Sequence, residues 1–236
     1  MTSSRPAIAT HLIKDSARSA VFAAARGLKL SCTHIASTSN LFDAIRSSAI
    51  GILVMELDDP ALETLAIQEQ LRVEASPISC VYLSSNAMLE TVVHVMQRGA
   101  ISVLSLSSSS VQIVEALKQA ESVFDRRNAW LTMALDANQK LSVLTDRQRL
   151  VLERILVGQT NKLIGTELHV SIKTIEKHRQ IIHEKTRTRT FPDLVRLHTI
   201  ANLPLDAAFG FQSCSGTLKK LHSDMSISPP ARILES

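Results

Sequence analysis

Through the front half of the chain, short apolar runs alternate with longer stretches of helical period. His11-Leu12-Ile13 predicts a short first strand. Asp15 to Arg26 follows as a helix with Ala17, Val21 and Ala24/Ala25 on one face. Leu28 to Ile35 alternates and carries β-branched residues, which predicts a second strand, and Asn40 to Arg46 a short helix. Ile52-Leu53-Val54-Met55 is a continuous apolar run, as a strand buried on both faces requires. Pro60 suits a first helical turn, and Leu62, Leu65, Ile67 and Leu71 give that helix its face. Ile78 to Leu83 reads as the fourth strand and Met88 to Arg98 as the fourth helix, stopped by Gly99. Ile101 to Leu106 is the fifth strand, and Ser107 to Ser110 supply a cap for a helix starting near Val111. The pattern predicts an α/β doubly wound five-stranded parallel sheet. Such a sheet has its functional crevice at the carboxyl ends of the strands, here Lys14, Asp15, Glu56, Ser84, Ser85, Leu106 and Ser107.

The middle and back of the chain are helical. Val111 to Gln139 contains no Gly or Pro and predicts one continuous helix roughly 40 Å long. Trp130, the sole tryptophan, falls on it outside both cores. Pairing with a second copy and packing back on its own domain both remain open for this helix. From Leu144 to Leu197 the periodicity predicts an all-α four-helix domain. Thr145 and Gln148 form a capping box for its first helix, and Gly158 ends that helix. A short helix near Asn161–Leu168 and a longer one near Ile172–Thr186 are joined by His169-Val170-Ser171. Gly165 lies at their crossing, which is the helix-turn-helix pattern. Pro192 opens the fourth helix. The expected organisation is a first domain over 1–122, a helical linker over 123–141, the helix-turn-helix domain over 142–202 and a disordered tail over 203–236, where Cys214 is an exposed, inert thiol.

Composition bounds what this architecture does. The 236 residues are 45% apolar and 20% charged, enough to bury a core. No run approaches a membrane span, and the N-terminus has no secretory pattern, so a cytoplasmic protein with no membrane partner is expected. Cys32, Cys80 and Cys214 match no metal spacing and read as reduced thiols. There is no glycine-rich phosphate loop, no nucleophile–base pair and no metal cluster. No enzyme activity, cofactor or metal is therefore expected. The formal charge of +4 is uneven. Residues 1–125 hold 9 Lys/Arg against 12 Asp/Glu, a net of −3, whereas 142–202 hold 11 against 6, a net of +5. A basic back third points to a polyanion as its partner.

The crevice residues carry a resemblance. Their order is similar to the receiver domain of bacterial response regulators. That resemblance implies an acidic pair after the first strand, a phosphoacceptor Asp after the third, Ser/Thr after the fourth and Lys-Pro after the fifth. Here the acidic pair falls on Lys14-Asp15, and the phosphoacceptor position on Glu56 with Pro60 four residues on. Ser84 matches the Ser/Thr position, Leu106-Ser107 replaces Lys-Pro, and Val103 takes the aromatic switch position. Phosphoryl transfer to a carboxylate needs Mg²⁺ held by oxygen ligands. With Lys14 where a ligand belonged and Leu106 in place of lysine, the site reads as degenerate. The Lys14 ammonium is expected to pair with Glu56 or Asp15. Glu56 is either an imitation of the phosphorylated state or a tolerated residue. Asp58 and Asp59 read as solvated turn residues rather than displaced phosphoacceptors.

The back third resembles the DNA-binding domain of the LuxR/FixJ class. The residues that carry this are Leu144-Thr-Asp-Arg-Gln-Arg, Val151-Leu152, Gly158, Asn161-Lys162, Ile164, Leu168, Val170-Ser171, Thr174-Ile175-Glu176, His178 and Lys185. Gln148, Gly165 and Thr186 depart from the usual Glu, Ala and apolar residue. Helical spacing turns Ile175, His178, Ile182 and Thr186 to the core and leaves Lys173, Glu176, Lys177 and Gln180 outward. The resemblance implies a major-groove role for that face, with Glu176, Lys177 and Gln180 at base edges and Lys162, Lys173, Thr174 and Arg179 at phosphates. The expected function is a sequence-specific transcription regulator acting on double-stranded promoter DNA. A homodimer is expected, with a further protein partner at the receiver-like domain. The competing readings are a conventional two-component response regulator phosphorylated by a histidine kinase and an adaptor that has lost DNA binding. Leu194, Leu197 and Ala201 make the last helix either a dimerisation element or a cover for its own core.

Overall fold

The computed structural model describes residues 5–47, 50–58, 61–74 and 76–203. Its first part alternates β1 (Ala7–His11), α1 (Asp15–Gly27), β2 (Cys32–His34), α2 (Thr38–Ser47), β3 (Ile50–Glu56), α3 (Ala61–Val73), β4 (Ser79–Ser84), α4 (Leu89–Gln97) and β5 (Ser102–Ser105). The strands form one parallel sheet in the order β2-β1-β3-β4-β5, the doubly wound arrangement expected from the alternation.

The central strand explains the sheet. Every residue of β3 is buried, so the apolar run serves both faces. On one face Ile8, Ile52, Val54, Val81 and Leu83 pack against α1 and the first turns of α5 (Ser110–Ser142). On the other, Ala9, Leu53, Met55, Cys80 and Tyr82 pack with residues of α2, α3 and α4. The buried Tyr82 hydroxyl donates to Gln68 Oε1 at 3.1 Å, so its polar tip keeps a partner.

The second strand is shorter than its apolar pattern. Leu28 caps α1 by donating to Ala24 and Ala25, and Lys29 turns the chain at φ 58°, so the strand is confined to Cys32–His34. The left-handed turn consumes the residues that alternation alone assigned to β2.

Helix α5 runs unbroken from Ser110 to Ser142, starting at a capping box of Ser109 and Gln112. Its first half packs on the sheet through Ile113, Ala116, Leu117 and Ala120. Farther along, Phe124 lies over Gly51, and the buried Arg127 donates to the carbonyls of Ile78 and Gly99. Its last turns lie against α9 (Phe191–Asn202), with Asn138 Nδ2 donating to the Ala201 carbonyl at 3.1 Å. Both of these helices pack within the chain. Leu194, 1% exposed, turns into the core beneath α9, while Leu197 and Ala201 are half-buried.

Three helices and α9 form the second core. They are α6 (Asp146–Leu156), α7 (Asn161–Glu167), α8 (Ile172–Thr186) and α9. Val151, Leu152, Ile155, Ile164, Ile175, Ile182 and Leu194 meet at its centre. The expected caps form at Thr145 with Gln148 and at Ser171, joined by Thr160 and a Thr190–Asp193 box. The expected tail beyond Leu203, with Cys214, lies outside the described residues.

Candidate functional site

The chain brings two groups of the expected residues into defined settings. The first is the crevice where β1 and β3 end. Glu56, the last residue of β3, is 4% exposed and turns back across the β1–α1 loop. Its Oε2 accepts from the amides of Ile13 at 2.9 Å and Lys14 at 3.1 Å. Its Oε1 faces Lys14 Nζ at 3.9 Å. The same ammonium stands 3.9 Å from Asp58 Oδ2, so one cation is shared by two carboxylates.

Asp58 corrects the reading of a solvated turn residue. Its Oδ1 accepts from the Ser84 hydroxyl, and its Oδ2 accepts from the Ser85 amide at 2.6 Å and the Ser85 hydroxyl at 2.5 Å. Partial burial pushes its carboxyl up, but the donors from Ser84 and Ser85 outweigh this and hold it below the ordinary value. Sequence order missed Asp58 because the loop doubles over β4, which no local pattern records. The run of acids before Pro60 was the available signal. Pro60 and Asp59 lie outside the described residues.

Two expected crevice residues are elsewhere. Asp15 is exposed and pairs with Arg18 one turn along α1, so the Lys14 partners are Glu56 and Asp58 rather than Asp15. Leu106 donates its amide to the Ser84 carbonyl at 2.8 Å, while its side chain packs against the sheet core. Its apolar chain is withdrawn from the crevice because burial is favourable and no charged partner awaits it there.

These donors do not fit Mg²⁺. The ion requires near-octahedral oxygen ligands. Glu56 spends one oxygen on two amides, Asp58 spends both on serine donors, and the remaining approach is taken by the Lys14 ammonium. Like charge then opposes a divalent cation between the same carboxylates.

The second group is the outer face of α8. Ile175, Ile182 and Thr186 are buried and His178 is half-buried, while Lys173, Glu176, Lys177 and Gln180 are exposed on the opposite side. Close packing of α7 beneath α8 depends on Gly165: a Cβ there would stand 2.8 Å from the Val170 carbonyl oxygen. The turn continues through His169 at φ 53°. Lys185 at the far end of α8 donates to the Val143 carbonyl and to Gln148 Oε1, both at 3.0 Å, so Gln148 serves a second helix as well as its own cap. Three of the expected DNA-contacting residues, the half-buried Thr174 and Arg179 and the exposed Gln180, are already engaged. Arg179 donates to Asn161 Oδ1 at 3.3 Å, Gln180 to Glu184 Oε1 at 2.9 Å, and the Thr174 hydroxyl lies 2.8 Å from that of Ser171. Lys162 is exposed at the start of α7.

Residues 142–198 match the family model described as bacterial regulatory proteins, luxR family. The response regulator protein TodT of Pseudomonas putida is 24% identical over 172 residues, which cover 73% of this chain and 76% of TodT. The transcriptional regulatory protein FixJ of Rhizobium meliloti is 26% identical over 147 residues, 62% of this chain and 72% of FixJ. A solved structure of the response regulator StyR superposes with a TM-score of 0.67 at 24% identity, covering 83% of this chain and 98% of StyR. Residues 142–198 are thus a LuxR-family helix-turn-helix domain, carried behind the receiver fold of response regulators similar to FixJ and TodT.

Proposed function

We propose that this protein is a sequence-specific DNA-binding transcription regulator whose receiver-fold domain works without an aspartyl-phosphate cycle. The observation that carries the second half is the Lys14 ammonium shared between Glu56 and Asp58. It supplies internally the positive charge that phosphoryl transfer takes from a metal ion, and it blocks that ion's approach. The first half rests on the exposed face of α8 and the basic charge of its domain.

In this reading, residues 1–122 form the receiver-fold unit, 123–141 the linker and 142–202 the unit that meets DNA. Glu176, Lys177 and Gln180 reach base edges in the major groove. Lys162, Lys173, Thr174 and Arg179 hold phosphates and fix the register. Arg179 and Gln180 must exchange their partners Asn161 and Glu184 for the nucleic acid. The partners are promoter duplex and a second copy of the chain on a two-fold site. A cytoplasmic setting follows from that role, and among the described residues no helix is long and apolar enough to cross a membrane.

The test uses the full chain incubated with acetyl phosphate and Mg²⁺, followed by intact-mass measurement. The expected result is an unchanged mass beside a positive-control receiver that gains a phosphoryl group. A stoichiometric phosphoryl adduct overturns the phosphorylation-independent reading and restores the conventional one. Binding to promoter fragments must fall steeply with salt. Salt-insensitive or absent binding to genome-wide fragment pools favours an adaptor instead.

A further inference from the structure

Strands β1 and β2 lie side by side, and each ends on a histidine, His11 and His34. Both line a cleft of about 640 Å³ between the β1–α1 and β2–α2 loops, and Arg18 of α1 joins them there. His11 Nδ1 lies 2.8 Å from the Ile35 carbonyl oxygen, and His34 Nδ1 lies 3.1 Å from that of Thr10. A carbonyl only accepts, so each Nδ1 carries the proton and donates. Each Nε2 is left without a partner among the described residues, and a further proton would sit there. Arg18 pairs with Asp15, which is exposed and does not line the cleft. Among the described residues no acid lines it, and the α2 side supplies only uncharged groups, Ser37 and Ser39 with them. Burial first, and then the Arg18 charge, hold the His34 value below the ordinary one, with His11 adding to this against Thr10 and Asp15. An anion placed among these groups relieves that repulsion.

We propose that this cleft binds a small dicarboxylate, and that protons are drawn onto Nε2 of His11 and His34 as it binds. The cationic groups stand on two strands and a helix, around a space far larger than one inorganic anion fills. Two carboxylates joined by a short apolar chain match that spread, with Ile13 as an apolar wall. One hydroxyl proton closes the 2.8 Å contact between Ser37 and Ser39, and the second is left for a ligand oxygen. The Ile13 amide donates to Glu56 at 2.9 Å, so an occupant bears on the loop that carries Lys14. The domain thereby has an input that needs no phosphoryl transfer. This regulatory sense rests on the phosphorylation-independent reading above; the binding itself does not.

The full-length protein is titrated by calorimetry with ethanedisulfonate, a dicarboxylate analogue whose two charges stay fixed while the histidines titrate. Saturable binding is expected, tighter by about tenfold at about pH 6 than at about pH 8, because the bound protein holds more protons. Arg18→Gln and His34→Gln are each expected to weaken it by about tenfold through loss of a charged hydrogen bond. Absent binding, or equal affinity at the two pH values, overturns the proposal. Undiminished binding by either variant overturns it too, since the anion then sits elsewhere, as on the basic helical domain. Succinate and inorganic phosphate are compared at about pH 7. Phosphate is expected to bind more weakly, and phosphate as tight as succinate overturns the dicarboxylate assignment.

If the variants do not fold, long-range nitrogen–proton NMR of the parent decides. Ethanedisulfonate at about pH 7 is expected to move the Nε2 signals of His11 and His34 toward their protonated positions. Rings that do not move overturn the site. A phosphoryl adduct on the parent protein would overturn the reading of the domain's control without altering any of these outcomes.

Discussion

Arg127, midway along α5, donates from Nη1 to the carbonyl of Ile78 at 3.1 Å, tying the linker helix to the strand edge opposite the crevice. A second contact runs from Nη2 to the Gly99 carbonyl at 3.4 Å. These carbonyls precede β4 and β5, so a single guanidinium braces two strands and the helix that leads to the second domain. Removing it leaves buried acceptors without their donor, which costs more than the net value of the bonds. Arg127→Ala is expected to lower stability by about 3 kcal/mol. Urea unfolding followed at Trp130 would report it as a lower midpoint, and an unchanged midpoint would rule out the brace.

Phe124 of α5 lies against Gly51 of β3. A Cβ on Gly51 would fall 2.4 Å from Pro6 Cβ and 2.9 Å from the Phe124 ring. Because β3 is the central strand, the backbone has little room to retreat. Gly51→Ala should destabilise the protein by about 2 kcal/mol through overpacking. Calorimetry would show this as a lowered Tm.

In the proposed function, Lys177 of α8 reads a base and Lys162 of α7 positions the backbone, and the two are separable. Lys177→Ala should weaken binding to the cognate duplex by about 1–3 kcal/mol and relax preference at one base position. Lys162→Ala should weaken all duplexes alike and reduce the salt slope by about 1. Titrations at several fixed salt concentrations distinguish the two. Equal affinity for the parent and Lys177→Ala would remove that lysine from the reading set.

Acid should act in two stages. Burial, aided by the Arg18 charge, lowers the His34 value, and burial with Arg98 does the same for His94. Their neutral forms are favoured by folding, so this stability is complete above the ordinary value of 6.5 and is lost as the pH falls through the folded values. Asp58 is held low by its serine donors against the effect of burial, and Glu69 by its hydrogen bond from Arg72. Their contribution is complete above the ordinary carboxylate range and disappears at lower pH. Tm measured against pH should fall first below 6.5 and again in the carboxylate range. Replacing His34 and His94 together by Gln should flatten the first stage, and a first stage that persists unchanged would assign it to other groups.

The two domains were legible to different depths. Alternation of apolar runs with helical stretches was enough for the five-stranded parallel sheet, because a strand buried on both faces must be apolar throughout, as β3 is. In the back third, capping chemistry is local, so Thr145 with Gln148 and Ser171 mark their helices without any tertiary contact. The outward face of α8 followed from a period of 3.6 residues and the burial of Ile175 and Ile182.

The crevice was legible only in part. Lys14 and Glu56 stand at strand ends and face one another, and Ser84 reaches Lys14 only through Asp58. Asp15 and Asp58 are chemically equal in the sequence, yet one pairs with Arg18 in solvent and the other is bound by Ser84 and Ser85. The difference arises from the path of a loop over a neighbouring strand, which is a long-range contact. Arg127 and the Gly51–Phe124 approach are hidden for the same reason, since their partners lie tens of residues away. The sequence alone determined the order and type of the elements, their caps and their buried faces, because hydrophobic period and capping act between near neighbours, but not the bounds of the first two strands, which are Ala7–His11 rather than His11–Ile13 and Cys32–His34 rather than Leu28–Ile35. Only the tertiary structure decided which carboxylates share the Lys14 ammonium and which helix braces the sheet, because those interactions depend on where distant segments are brought together.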